Sequence, residues 1–232
     1  MFNFGISKES AVKTSKPQLK PWEIHDVKFI GCEIAEGTSK NDESKSWKRL
    51  DIKFENENGY FNVPLWFPKS GDDKRPEYEG KNGGTVTYPS AFELLMATVA
   101  QTAQILNPAG FEKMQALSSK FKDFDDVAKA LMAILEKSKG TETKLKLIGK
   151  VDKDGRVNAQ IPRILGINKQ GESFISDNYI GNKLFFSPYE EGKRKEYLNS
   201  KPTTMSNTES KDPLLESAEY ESNEELNLED LL

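Results

Sequence analysis

Two runs of alternating residues, WKRLDIKFE (47–55) and YFNVPLWF (60–67), flank the turn Glu57-Asn58-Gly59, and this pair constrains the chain more than any other feature. Alternation at period two marks strands with one buried face. An Asn-Gly pair between two such strands supplies the backbone freedom that a tight hairpin turn requires. Pro64 has no N–H for a ladder bond, so the second strand belongs at a sheet edge or carries a bulge there. A further run, DVKFIGCEI (26–34), precedes the hairpin. Two more, TKLKLIGKV (143–151) and RVNAQIPRILGI (156–167), lie on either side of the turn Asp152-Lys153-Asp154-Gly155.

Residues 90–139 read differently. Ser90 and Glu93 have capping-box spacing, and Phe92, Leu95, Met96, Val99, Ala103 and Leu106 fall on one helical face. Asn107-Pro108 stops that helix and starts a second, with Phe111, Met114 and Leu117 facing inward. Asp123 caps a third, whose stripe is Phe124, Val127, Leu131, Ile134 and Leu135 and whose end is Gly140. These stripes are core faces. Residues 68–88 read as a loop with room for a short strand at its end, 173–186 as further β structure and 187–201 as a polar, basic segment.

Three strands, a helical segment and two strands is the element order of the OB-fold. The expected architecture is α+β, mainly β. A five-stranded OB-fold-like barrel spans 22–201, with the helical insertion 90–139 between its third and fourth strands. A flexible basic arm, 1–21, precedes it, and a disordered acidic tail, 202–232, follows it.

The formal net charge of −4 hides two opposite pieces. From Met205 to Leu232 there are nine carboxylates and one lysine, which leaves 28 acids against 32 bases elsewhere in the chain. A basic body joined to an acidic tail lets tail and polyanion compete for one surface; tails of this kind also serve simply as solubilisers. Among the bases, 28 are Lys and five are Arg, which suits point-charge contact with phosphate over bidentate base readout.

Several chemistries are missing. One Cys and one His exclude a disulfide framework and the usual structural zinc sites. There is no phosphate-binding loop of the G-x-x-x-x-G-K-[ST] type and no G-x-S-x-G elbow. His25 is expected to be non-catalytic, and Cys32 a small core residue. Asp152 and Asp154 begin like an EF-hand loop, but position twelve is Arg163, so a β-turn accounts for them. No cofactor and no metal are expected. No run approaches the ~18 apolar residues of a membrane span, and MFNFGISKESAVKTSKPQLK has no signal-peptide core. The expectation is a non-enzymatic cytoplasmic protein, in the host cytoplasm if the source is viral.

Alternation also sorts the strand faces. Ile30, Cys32 and Ile34 face inward in the first strand, leaving Phe29 outward. Leu50, Ile52 and Phe54 face inward in the second, leaving Trp47, Arg49, Asp51 and Lys53. Phe61, Val63, Leu65 and Phe67 face inward in the third, leaving Tyr60, Asn62 and Trp66. Leu145, Leu147 and Val151 in the fourth leave Lys144, Lys146, Ile148 and Lys150. Val157, Ala159 and Ile161 in the fifth leave Arg156, Asn158 and Gln160. A bulge at Gly31 or Pro64 would exchange the faces. The outer faces combine rings with cations, the surface on which single-stranded nucleic acid stacks its bases and lays its phosphates. The candidate binding residues are Phe29, Trp47, Arg49, Lys53, Tyr60, Trp66, Lys144, Lys146, Lys150 and Arg156. The alternative is that Phe29, Tyr60 and Trp66 pack beneath the helices or the arm.

With these strands, the aromatic-basic face of Trp47, Arg49, Lys53, Tyr60 and Trp66, and the closing tail ESAEYESNEELNLEDLL, the chain resembles single-stranded DNA-binding proteins of the phage replication type. The resemblance covers the β portions and the tail, not the helical block. It implies a protein that coats single-stranded DNA during replication or recombination. It also implies a tail that recruits polymerase, helicase or primase and occupies the DNA groove when DNA is absent. Glu224, Glu225, Leu228, Glu229, Asp230, Leu231 and Leu232 are the partner-binding candidates. Tails of that family often end in an aromatic or a Pro-Phe pair, whereas this one ends Leu231-Leu232. The rival readings are a protein-interaction adaptor or virion-associated protein, an RNA-binding protein using the same sheet, and a nuclease whose carboxylates meet only in the fold.

Overall fold

The computed structural model describes residues 16–39, 42–79, 84–168 and 172–200. The acidic tail, with its candidate partner-binding residues, and the first fifteen residues of the expected basic arm lie outside the described residues. The chain forms two units, Met1–Arg194 and Lys195–Leu232; of the second, only Lys195–Ser200 are described.

In chain order the strands and helices are β1 (Glu23–Ser39), β2 (Asp42–Asn56), β3 (Gly59–Trp66), β4 (Glu77–Glu79), β5 (Thr85–Thr87), α1 (Ala91–Leu106), α2 (Pro108–Ala116), α3 (Phe124–Glu136), β6 (Glu142–Val151), β7 (Val157–Gln160), β8 (Leu165–Ile167), β9 (Ser173–Ile175) and α4 (Pro188–Asn199). The protein is α+β and mainly β. No helix among the described residues is long and apolar enough to cross a membrane.

Five strands form one antiparallel sheet in the order β3-β2-β1-β6-β7. β1 is shared along its length. Its first half, Glu23–Lys28, pairs with β6, and its second half, from Lys28 on, pairs with β2. The fourth large strand therefore returns beside the first, which is Greek-key order. A closed five-stranded barrel is not what forms: β3 and β7 are the two ends of the sheet order, with no ladder joining them among the described residues. β7 supplies only four residues, and Pro162, which has no amide N–H, follows two residues later. The expected strand 156–167 breaks at this point.

The turn between β2 and β3 forms where the sequence places it, but its two central residues are Glu57 and Asn58, and neither Asn58 nor Gly59 takes a positive φ. Asn56 Oδ1 closes it by accepting from the amides of Asn58 (2.9 Å) and Gly59 (3.0 Å). β3 is an edge strand, and Pro64 is exposed there. Residues 16–19 are not a free arm. Leu19 donates its amide to the Tyr60 carbonyl, Tyr60 donates to the Pro17 carbonyl, and the Leu19 side chain is buried.

The helical block begins and ends as its caps dictate. Ser90 and Glu93 exchange both capping-box bonds. Asn107 Oδ1 accepts from the Gly110 amide and Asp123 Oδ1 from the Asp126 amide, so α2 and α3 start where their sequences place them. Val99, Ala103 and Leu106 of α1, Met114 of α2 and Val127, Leu131 and Leu135 of α3 join the inner face of the sheet in one apolar cluster. Lys48 pins the start of α3 by an ion pair with Asp125, while Phe67 and Phe124 meet edge to face at 4.9 Å.

The segment after β8 holds less β structure than expected, and a helix follows it. Of 173–186 only Ser173–Ile175 is a strand, with one further bridge at Ile180. The polar segment after Ser187 contains α4, which a capping box formed by Ser187 and Glu190 starts. Its amphipathicity is too weak to show in a pattern of apolar residues, because the side chain it buries is Glu190.

Candidate nucleic-acid interface

The sheet face opposite the helices carries a compact cluster built by β2 and β3. Arg49 and Trp66 are direct cross-strand partners, and Trp47 lies two residues along β2 on the same face. The Trp47 and Trp66 rings meet edge to face with centroids 5.8 Å apart at 70°. The Arg49 guanidinium carbon lies 5.4 Å from the centre of Trp47 and 5.3 Å from that of Trp66. Trp47 is fixed from β1: its Nε1 donates to the Thr38 carbonyl at 3.1 Å. The ring lies over Gly37, where a β-carbon would come within 2.8 Å of Trp47 Cζ2. Only glycine permits that approach. Trp66 remains half exposed, and beside it opens a cleft of about 880 Å³ lined by Glu36, Trp47, Lys48, Trp66, Lys69 and Asp72 among others.

Arg49 is itself held. Its Nε lies 2.9 Å from Asp51 Oδ1 and 3.1 Å from Oδ2. Asp51, one of the outward residues, is only 5% exposed, with Arg49 on its carboxylate and Pro64 as its cross-strand partner. Lys53 is paired with Glu33 across β1, and that ammonium holds the Glu33 carboxyl below the usual carboxylate range. Tyr60 is exposed on the same row of β3 as Trp66, at the hairpin end of the sheet.

Phe29 does not belong to this face. A register shift falls between Phe29 and Gly31, with Gly31 at φ +136°. The bulge moves Ile30 to the exposed side and turns Phe29 fully inward, where it packs on its partner Phe54 at 5.8 Å. Cys32 and Ile34, after the bulge, still pack against the core. Burial pushes the Cys32 thiol up to about 12, with nearby Glu136 adding to the effect and Lys139 opposing it.

Lys146 is also not a surface cation. It is 0% exposed, ion-paired with Asp177 and with Glu190 (3.2 Å), and donates to the Phe185 carbonyl at 3.0 Å. The segment after β9 has folded over this part of β6. Lys144 lies at the margin, paired with Asp26 at 3.1 Å, whereas Lys150 and Arg156 are exposed at the far end of the β6–β7 hairpin. Val151, expected inward, is exposed there too. The structure thus brings Trp47, Arg49 and Trp66 together, sets Lys53 and Tyr60 along the same two strands, and puts Lys150 and Arg156 at the β6–β7 hairpin.

Sequence reasoning had no means of finding Asp177 and Glu190. Each lies more than thirty residues from Lys146, and no local pattern links them. Among the described residues no group of three or more His, Cys, Asp or Glu side chains is placed to hold a metal ion. His25 Nε2 donates to the Lys20 carbonyl (2.8 Å) and the ring sits beside Glu23, a turn-fixing arrangement. No family model, curated protein or solved structure matches this chain.

Proposed function

We propose that this protein binds single-stranded DNA, without catalysing a reaction, through the outer face of β2 and β3. The observation that carries the proposal is the Trp47–Arg49–Trp66 cluster, in which two rings and a guanidinium are left at the surface in fixed orientation. A base offers a π-face to Trp66, and its phosphates meet cations. One stacked base is worth ~1–3 kcal/mol whatever its identity. The Greek-key order with β1 shared between β2 and β6 supports the reading of the sheet as an opened OB-fold. In that fold strands two and three, with the loops joining strands one to two and four to five, contact oligonucleotides. Trp47 leans on Thr38 at the β1–β2 end, and Lys153 and Arg156 are exposed at the β6–β7 turn. The acidic segment after Met205 is proposed to recruit replication proteins and to compete with DNA, as the resemblance implies.

A second reading has an observation of its own. Arg49, Lys53 and Lys144 each already hold a carboxylate, so this face is charge-balanced as well as aromatic. Protein–protein interfaces enriched in Trp, Tyr and Arg have that character. The two readings part on salt. Phosphate binding releases counterions and weakens with a log–log slope of ~−0.7 per contact on single strands; stacking on a protein partner does not.

The test is titration of the full chain with oligo-dT at two salt concentrations, repeated on a chain ending at Thr204. Trp22 is buried, so Trp47 and Trp66 carry the quenching signal. Salt-sensitive quenching that tightens without the tail is the expected result. Absence of binding by both chains at low salt overturns the DNA reading and leaves the protein-interaction reading.

A further inference from the structure

A second cluster of the same chemistry lies away from the main sheet. Tyr78 of β4 and Tyr88, one residue beyond β5, meet edge to face with centroids 5.4 Å apart at 79°. Arg163, in the segment between β7 and β8, places its guanidinium carbon 5.1 Å from the centre of Tyr88. Tyr78 is 59% exposed, and Tyr88 and Arg163 are exposed beside it. Tyr78 pairs with Val86, so alternation puts Tyr78, Val86 and Tyr88 on one face of the hairpin. Glu77 and Glu79 fall on the other, away from any phosphate on the tyrosine side.

The cluster is fixed. Arg75 forks onto Glu93 at the start of α1, with Nε 3.0 and 3.1 Å from the two oxygens. Tyr88 donates its amide to the Pro76 carbonyl at 2.9 Å, and Phe92 donates to the Asp72 carbonyl at 3.0 Å. On the other side the Ser176 amide donates to the Ile164 carbonyl at 2.9 Å, next to Arg163. Rings left in water on a braced hairpin with a cation over one of them repeat the arrangement at Trp47, Arg49 and Trp66. Scattered surface aromatics would not need the brace or the cation.

We infer that Tyr78, Tyr88 and Arg163 form a second stacking site for the same single strand, so that bound DNA continues from the β2–β3 face to the β4–β5 hairpin. This rests on the proposed DNA-binding function and deepens it. Trp66 and Tyr78 are separated by no more than about 40 Å of extended chain, a distance that one strand can cover within the ~4–16 nucleotides an OB-fold engages. The ligand is defined by its chemistry: unpaired bases for the rings and a phosphate or a base face for Arg163.

The experiment compares the full chain with Tyr78→Ala, Tyr78→Phe, Arg163→Ala and Trp66→Ala on oligo-dT of about 6 and about 20 nucleotides, lengths either side of that range. Tryptophan quenching is the readout, and melting curves verify folding. Tyr78→Ala and Arg163→Ala are expected to weaken the longer oligonucleotide roughly five- to 150-fold, the loss of one stacked base, and to leave the shorter one unchanged. Tyr78→Phe keeps the ring and retains affinity, and Trp66→Ala weakens both lengths. Ultraviolet cross-linking of the unaltered chain to the longer oligonucleotide is expected to label the peptides containing Tyr78 or Tyr88. Equal affinity of Tyr78→Ala and the unaltered chain for the longer strand, with no label at either tyrosine, overturns the second site while the Trp66 result preserves the first. An unaltered chain that binds neither length overturns both.

Discussion

Arg49 stands directly across from Trp66 in the β2–β3 ladder, and its guanidinium lies 5.3 Å from the centre of that ring while its Nε contacts both oxygens of Asp51. One side chain thus orients an exposed aromatic and neutralises a buried carboxylate. The same pairing limits how freely Arg49 can serve a phosphate. Under the proposed DNA-binding function, a phosphate gains the cation only by sharing it with Asp51.

Trp66→Ala removes the half-exposed ring without opening the core. Its expected effect is a loss of oligo-dT affinity of ~1–3 kcal/mol, the value of one stacked base, with the melting temperature nearly unchanged. Titration monitored by the remaining Trp47, together with a thermal melt, checks both halves. Unaltered affinity removes Trp66 from the interface.

Arg49→Ala separates the two duties of the guanidinium. It leaves Asp51 buried without its cation, and the expected cost is about 1–3 kcal/mol of stability. The double variant Arg49→Ala, Asp51→Ala is expected to recover most of that stability but none of the DNA affinity. Urea denaturation and oligo-dT titration of the two variants read these effects independently. Equal stability of both variants would mean that Asp51 finds water instead.

Lys146→Ala is expected to be far more costly, about 3–5 kcal/mol, because it strands the carboxylates of Asp177 and Glu190 in a largely covered site. Replacing all three together, as Lys146→Met, Asp177→Asn and Glu190→Gln, is expected to restore most of the loss. Denaturant midpoints are the measurement. A small effect of Lys146→Ala would show that the segment over β6 opens readily to water.

Glu93 sets an acid limb on stability. The Arg75 side chain first, then the Ser90 amide, lowers its carboxyl from the ordinary 4.5 to about 2. The folded state therefore favours the charged form more than the unfolded state does. The stabilisation is complete above pH 4.5 and is lost as pH falls toward 2. Both side chains are partly exposed, so salt screens part of it. Glu93→Gln is expected to melt lower than the unaltered chain at neutral pH, with the gap closing as the pH is lowered through this window. A gap that stays constant with pH would assign the effect to the cap's geometry instead of its charge.

The elements that were legible in the sequence are those specified by contacts between near neighbours. Ser90 with Glu93, Asn107 with Gly110 and Asp123 with Asp126 fix the helix starts within four residues. The two-residue turn that Asn56 Oδ1 closes fixes the β2–β3 register, and period-two alternation then places Leu50, Ile52 and Phe54 inside and Trp47, Arg49 and Trp66 outside. Phe29 was not legible in this way. One inserted residue at Gly31 reverses a strand's faces, and whether the insertion is accommodated depends on β1 having to leave β6 and join β2. Nor was Lys146, whose spacing puts it on the outer face as expected. Its burial comes from Asp177 and Phe185, which follow β9, and from Glu190 of α4, which together cover it. The sequence by itself determined β1, β2, β3 and β6, the helices α1, α2 and α3, and the aromatic–cation pair on β2 and β3, because each depends on local periodicity, a cap or a short turn. Only the tertiary structure decided which cations stay at the surface, that the sheet does not close, and that Tyr78, Tyr88 and Arg163 meet, because those outcomes depend on distant segments competing for the same face.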